Sequence, residues 1–268
     1  MCKLLGLFPI MHNKANNVDC MKEEYIEDVS ALITSALSLA VGLGYDISAD
    51  TATLFGSITP VVQRTISRVL TVFQGKSFAK IESARMGVCY NSLVESIKKN
   101  EADGKPYNDA FFSQGSVYGK IDELAEAVLR AAMDDSQIVK SHHYGKLLGN
   151  ALYQTKYDES SIFLLLRIAQ KLSFDELCLL AVLNDMPQKN YEVLVNGDDK
   201  RAELMVMMAN LKASGILRRM PPFSVGATLD NLQISVLGKD LYTLMDLQEL
   251  DPNAISDLKQ LIDFYVRA

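Results

Sequence analysis

Cysteine and histidine are scarce in this chain, and neither is spaced for chemistry. The four cysteines, Cys2, Cys20, Cys89 and Cys178, include no C-x-x-C pair. Cys89 and Cys178 fall on apolar helical stripes, which marks them as small buried hydrophobes of a reducing compartment rather than a disulfide framework. His142 and His143 are adjacent, so on a helix they point about 100° apart and cannot share one ion. His142 is expected on the side away from the apolar stripe and His143 at its flank. With His12 the only other histidine and no carboxylate cluster at ligand spacing, no metal site is expected. The chain also lacks a G-x-S-x-G elbow, a phosphate-binding glycine loop, a dinucleotide fingerprint, internal repeats and low-complexity tracts. Glu123 and Glu126 share a helix face and could do acid–base work, but solvated face charges are far commoner. No catalytic residue and no cofactor is expected, and the chain is read as non-enzymatic. An excess of positive charge is missing too: the net charge is -6 and the pI about 5.2, which argues against broad attraction to nucleic acid or anionic lipid.

What the chain does have is apolar periodicity. At 268 residues and 49% hydrophobic it can bury one sizeable core or two smaller ones. The densest signal runs over residues 120–185 as four closely spaced helices. Ile121, Leu124, Ala125, Val128, Leu129 and Ala132 make one buried stripe opposite Asp122, Glu123, Glu126 and Arg130. Tyr144, Leu147, Leu148, Ala151 and Leu152 repeat the spacing. Residues 162–172 are apolar nearly all round, which predicts the helix at the centre of a bundle. The fourth helix opens on Ser173, which with Glu176 forms a capping box and with Leu172 and Leu177 a hydrophobic staple. It must stop near Met186, because Pro187 lacks an amide proton and clashes with the preceding turn.

Upstream, the apolar run from Leu4 to Met11 is too short for a secretory signal and holds Pro9. Residues 1–20 are read as a flexible tail, with Met21 an alternative start. Residues 29–45 carry no charge, and after Asp46 and Asp50 a second uncharged run covers residues 51–63. Rich in Ala, Ser, Thr and Gly, residues 21–76 read as a close-packed helical hairpin. The alternative is a membrane-acting effector that inserts residues 29–63 through Leu32, Leu37, Leu39, Val41, Leu54 and Phe55, although 17 residues is at the lower edge of a bilayer span. The expected location is the cytoplasm, peripheral to or inserted in the inner membrane if that region meets lipid. Pro60 opens a helix that Gly75 ends, and Ser77 can cap the next, in which Met86, Cys89, Tyr90, Leu93 and Ile97 recur. Residues 100–119 form a loop by composition, yet Tyr107, Phe111, Phe112 and Tyr118 predict that it folds down onto the helices or closes over a partner.

After Pro187 the pattern changes. Residues 200–214 read as a helix that Gly215 ends, residues 216–220 and 232–236 as a strand and its return, followed by two helices, the last opened by Asp251 and Pro252. Helices followed by strand, loop and strand are the order of a winged helix, with residues 200–214 in the recognition position. Lys200, Arg201, Lys212, Arg218 and Arg219 would be its nucleic-acid contacts. Yet from Met186 to the end nine lysines and arginines stand against eleven aspartates and glutamates, where a DNA reader is usually basic. Met205 and Val206 on the outward side suit a protein partner or a subunit contact better.

Five pieces, ESARMGVCY from Glu82, NDAFF from Asn108, ELAEAVL from Glu123, KLLGNA from Lys146 and LSFDELCLL from Leu172, resemble a family of uncharacterised, mostly helical bacterial proteins. The resemblance covers residues 77–185 and implies a winged-helix-like C-terminal region and no assigned activity. The expected fold class is mainly α, a helical bundle followed by a winged-helix-like α+β domain, with divisions at 1–20, 21–76, 77–186 and 187–268. The expected function is interaction or regulation through protein contacts, including self-association, with Met205, Val206, Phe111 and Phe112 as the contact residues. Nucleic-acid regulation is the further alternative.

Overall fold

Amphipathic stripes become helices here because each has somewhere to bury its apolar side. The computed structural model describes residues 80–108, 120–186, 192–193, 199–219 and 232–267. Among them are eight helices: α1 (Lys80–Ala102), α2 (Lys120–Asp134), α3 (Ile138–Ala151), α4 (Glu159–Lys171), α5 (Phe174–Asp185), α6 (Asp199–Ala213), α7 (Val236–Leu244) and α8 (Pro252–Tyr265). A 3-10 turn, Leu247–Glu249, follows α7. The described strands are two short antiparallel pairs. β1 (Glu192–Val193) pairs with β4 (Val266–Arg267), and β2 (Leu217–Arg219) with β3 (Leu232–Ile234) in the register Leu217–Ile234, Arg218–Gln233 and Arg219–Leu232. The protein is thus mainly helical, and the four helices expected over residues 120–185 are all present.

Helix ends follow local chemistry. α1 and α6 both end in a Schellman turn around a left-handed glycine, Gly104 at φ 67° and Gly215 at φ 78°. In the first, Lys105 N donates to Asn100 O and Gly104 N to Glu101 O; in the second, Ile216 N donates to Leu211 O and Gly215 N to Lys212 O. At the start of α5 the Ser173 hydroxyl accepts from Glu176 N while the Glu176 carboxylate accepts from Ser173 N, the complete capping box. That helix stops at Asp185, with Met186 extended before the proline. Asp158 caps α4 by accepting from Ser161 N at 2.8 Å. Arg85 of α1 reaches across to the end of α2, its guanidinium donating to Met133 O at 3.0 Å and Ser136 O at 3.2 Å.

The most enclosed helices are not the one expected. α4 is apolar nearly all round, but Leu164 is 43% exposed, so one side faces outward. The helices enclosed on most sides are α5, in which Glu176 to Leu183 are all buried, and α3, in which eleven residues are buried. α3 packs against α1, α2, α4 and α7, while α6, α7 and α8 pack on α5. α1 and α3 run side by side in the same direction, with Gly145 set against Cys89 and Ser92, and Gly149 against Ser96. Cys89 and Cys178 are both buried free thiols, as their stripes predict. Burial pushes the Cys178 thiol up to about 12.

The start of the aromatic loop does fold down. Tyr107 packs on Tyr153 with the rings tilted and their centroids 4.7 Å apart, and it donates its hydroxyl proton to Glu101. Asn108 donates through its side chain to Gln154 O at 2.9 Å and Tyr157 O at 3.0 Å. Phe111, Phe112 and Tyr118 lie outside the described residues, as do the tail, the uncharged runs and the Ser77 cap.

Candidate functional site

Two surfaces carry chemistry: the outward side of α6 and a polar face of α3. On α6, Leu204, Met207, Met208 and Leu211 turn inward and are buried, which fixes the opposite face toward water. That face carries Ala202, Met205, Val206, Ala209 and Ala213, all exposed, with Met205 43% and Val206 59% accessible. No ionisable residue occurs from Leu204 to Leu211. Asn210 anchors the helix by donating to Glu176 Oε1 at 2.6 Å, so the same carboxylate that closes the α5 capping box also positions α6.

Of the basic residues named from sequence, Lys200, Lys212 and Arg218 are exposed on α6 and β2. Arg201 lies in α6 and Arg219 in β2. They do not converge on one patch of a single element, since Arg218 stands on the hairpin and Lys200 at the opposite end of α6 from Lys212. Leu32, Leu37, Leu39, Val41, Leu54 and Phe55 lie outside the described residues. Among the described residues no helix is long and apolar enough to cross a membrane.

The polar face of α3 was not visible in the sequence, where only its apolar stripe stood out. Lys140, 2% exposed, pairs with Asp135 at 2.6 Å and donates to Leu172 O at 2.7 Å. Tyr144 donates to that same oxygen, Asp135 Oδ2, at 2.6 Å, while Gln137 N donates to Oδ1 at 2.9 Å. Burial alone would raise the Asp135 carboxyl, but Lys140, Tyr144 and the Gln137 amide outweigh it and hold the group below its ordinary value. Gln137 in turn accepts from Phe174 N at 2.7 Å, which ties the α2–α3 turn to the start of α5.

Further along α3 both histidines are engaged, and His143 faces inward rather than lying at a flank. The Ser92 hydroxyl donates its one proton to Val88 O at 2.9 Å and so accepts from His142 Nδ1 at 2.6 Å. Ser92 is buried, with its hydroxyl engaged by both the Val88 carbonyl and the His142 ring. Burial, then Lys146, lowers the His142 pKa. His143 Nδ1 donates to Met245 O at 2.9 Å, and its ring stacks on Phe174. Burial holds His143 at about 4, against the opposing pull of that hydrogen bond. Lys146, also buried, pairs with Glu249 at 3.3 Å and Glu95 at 3.8 Å. Asn150 links Asn100 to Leu244 O, accepting at 2.9 Å and donating at 3.0 Å. Among the described residues no group of three or more histidines, cysteines, aspartates or glutamates could hold a metal ion.

The two surfaces differ in kind. The α3 groups are committed to one another and to backbone carbonyls, the arrangement of a structural network, whereas the α6 face is open to solvent. No family model, no curated protein and no solved structure matches this chain.

Proposed function

We propose that this chain is a non-enzymatic interaction protein that associates with a second copy of itself through the outward face of α6. The observation that carries the reading is the pair Met205 and Val206, 43% and 59% exposed on a helix whose other large apolar residues are buried. Two neighbouring large hydrophobes on a stretch without charge gain from being covered and lose little hydration of ionised groups when they are. The three alanines beside them add low relief, which lets another backbone approach. The arrangement α5, α6, β2 and β3 supports a winged-helix-like end in which α6 takes the position of the recognition helix. Its apolar outward side favours protein contact over phosphate contact.

Light scattering on the full chain tests this. The wild type should exceed the 29.7 kDa of one chain at micromolar concentration, and Met205→Ser with Val206→Ser should return it to a monomer with unchanged thermal stability. A wild type that stays monomeric at every concentration, with no cross-link through α6, would sink the proposal. Exposed Arg218 on β2 favours nucleic-acid regulation as a second reading; it requires salt-sensitive DNA binding that is lost when Arg218 and Arg219 are changed.

A further inference from the structure

The turn that follows α7 is held in place from outside. α7 ends with carbonyls that have no partner in their own helix. Side chains of α3 supply them: Asn150 Nδ2 donates to Leu244 O at 3.0 Å and His143 Nδ1 to Met245 O at 2.9 Å. Between these two, Lys146 pairs with Glu249 at 3.3 Å, and Lys99 of α1 holds the other oxygen of Glu249 at 2.6 Å. The next residue in the chain, Asp246, adopts the left-handed conformation at φ 49° and ψ 46°, a region that non-glycine residues occupy at some cost. Its carboxylate is buried, one oxygen accepts from Gln248 at 2.8 Å, and Oδ2 has no hydrogen-bond partner. A strained residue with an unsatisfied buried oxygen persists only while its surroundings hold it.

We propose that residues 244–250 form an acid-releasable clasp: the neutral ring of His143 docks the end of α7 on α3, and a second proton on that ring drives the turn off. Because Met245 O can only accept, Nδ1 carries the proton in the docked state and Nε2 is the site that titrates. The bond from Nδ1 survives protonation, but a charged ring is disfavoured in the buried site between Phe174 and His142. The groups around it give little relief. On α3, Lys146 and His142 oppose the charge, and Lys140 one turn earlier is occupied by Asp135. From the turn Asp246 favours the charge, while Glu249 is shared between Lys99 and Lys146. From α1, Glu95 is turned to Lys146, and α5 contributes the uncharged Phe174 ring. Undocking gives water to both the imidazolium and the orphaned Asp246 oxygen.

With His143 at about 4 when docked and 6.5 when free, a fall from pH 7.5 to pH 5 should favour the open turn by about 25-fold. Hydrogen exchange on the full chain at pH 7.5 and pH 5.0, corrected for intrinsic rates, reads this. Amides of residues 241–250 should lose protection by that order while those of residues 174–185 keep theirs. His143→Asn places an amide nitrogen where Nδ1 stood and cannot titrate, so it should remove the acid response and retain neutral-pH protection. Equal loss across residues 174–185, no loss in the turn, or an unchanged acid response in the Asn variant would overturn the clasp. Should that variant fail to fold, the wild-type His143 ring resonances decide. They should titrate in step with the loss of protection, and a ring that stays neutral while the turn opens overturns it equally.

Discussion

Gly145 of α3 lies so close to Cys89 of α1 that a β-carbon on it would stand 2.1 Å from the Cys89 carbonyl oxygen. The obstacle is backbone, so relief requires the two helices to separate. Gly145→Ala should therefore destabilise the fold by about 2 kcal/mol, the overpacking cost exceeding the gain in helix propensity. Gly87, inside α1, has nothing within 4 Å of its would-be β-carbon. Gly87→Ala should stabilise by about 0.5–1 kcal/mol. Urea midpoints for the two variants should move in opposite directions; a shared direction would mean that α1 and α3 are not in close contact.

Glu176 accepts on both carboxylate oxygens, from Ser173 N on one and Asn210 Nδ2 on the other. Glu176→Gln keeps the shape but turns an NH₂ toward one of those donors, which should cost about 1–2 kcal/mol. Reversing the second bond should repair it. In Glu176→Gln with Asn210→Asp the new amide donates to the new carboxylate, and a double-mutant cycle should show positive coupling of about 1 kcal/mol. Additive losses would mean that Asn210 does not position α6 through this carboxylate.

The reach of the sequence is set by how local each interaction is. The Ser173–Glu176 box joins residues three positions apart and was legible, as were the stop before Pro187 and the helix-ending Gly215. The stripe at Leu204, Met207, Met208 and Leu211 also placed Met205 and Val206 outside. The α4 expectation failed on a different ground. Periodicity measures how apolar a helix is, while enclosure depends on how many neighbours it acquires, and α3 acquired four with Lys140, His143 and Lys146 aboard. Those residues look like a solvated face until their partners are known, and the partners are remote: His143 and Met245 are separated by 102 positions. The pair Gly145 and Gly149 was present at helical spacing, a signal of close backbone approach that the apolar stripe obscured.

The contribution of the Lys140–Asp135 pair depends on pH in its size. Both groups are buried, 2% and 8% exposed, so removing one partner leaves a stranded charge rather than a lost surface contact. Lys140→Met should cost about 3 kcal/mol at pH 7. In the wild type the folded Asp135 pKa lies below the ordinary aspartate value of 3.8. Its contribution is therefore complete above pH 3.8 and is lost as pH falls through the folded value. In the variant, burial is no longer opposed by the lysine, so the folded pKa of Asp135 should rise above 3.8 and protonation on acidification should relieve the penalty. Between pH 7 and pH 4 the wild-type contribution stays complete and the variant's protonation alone acts, so the stability gap between wild type and Lys140→Met should be widest near pH 7 and narrow as pH falls toward 4. His143 titrates in both proteins and cancels in the difference. Chemical denaturation of the pair at pH 7, 5.5 and 4 measures that gap, and one that stays constant would show that Lys140 does not control the ionisation of Asp135.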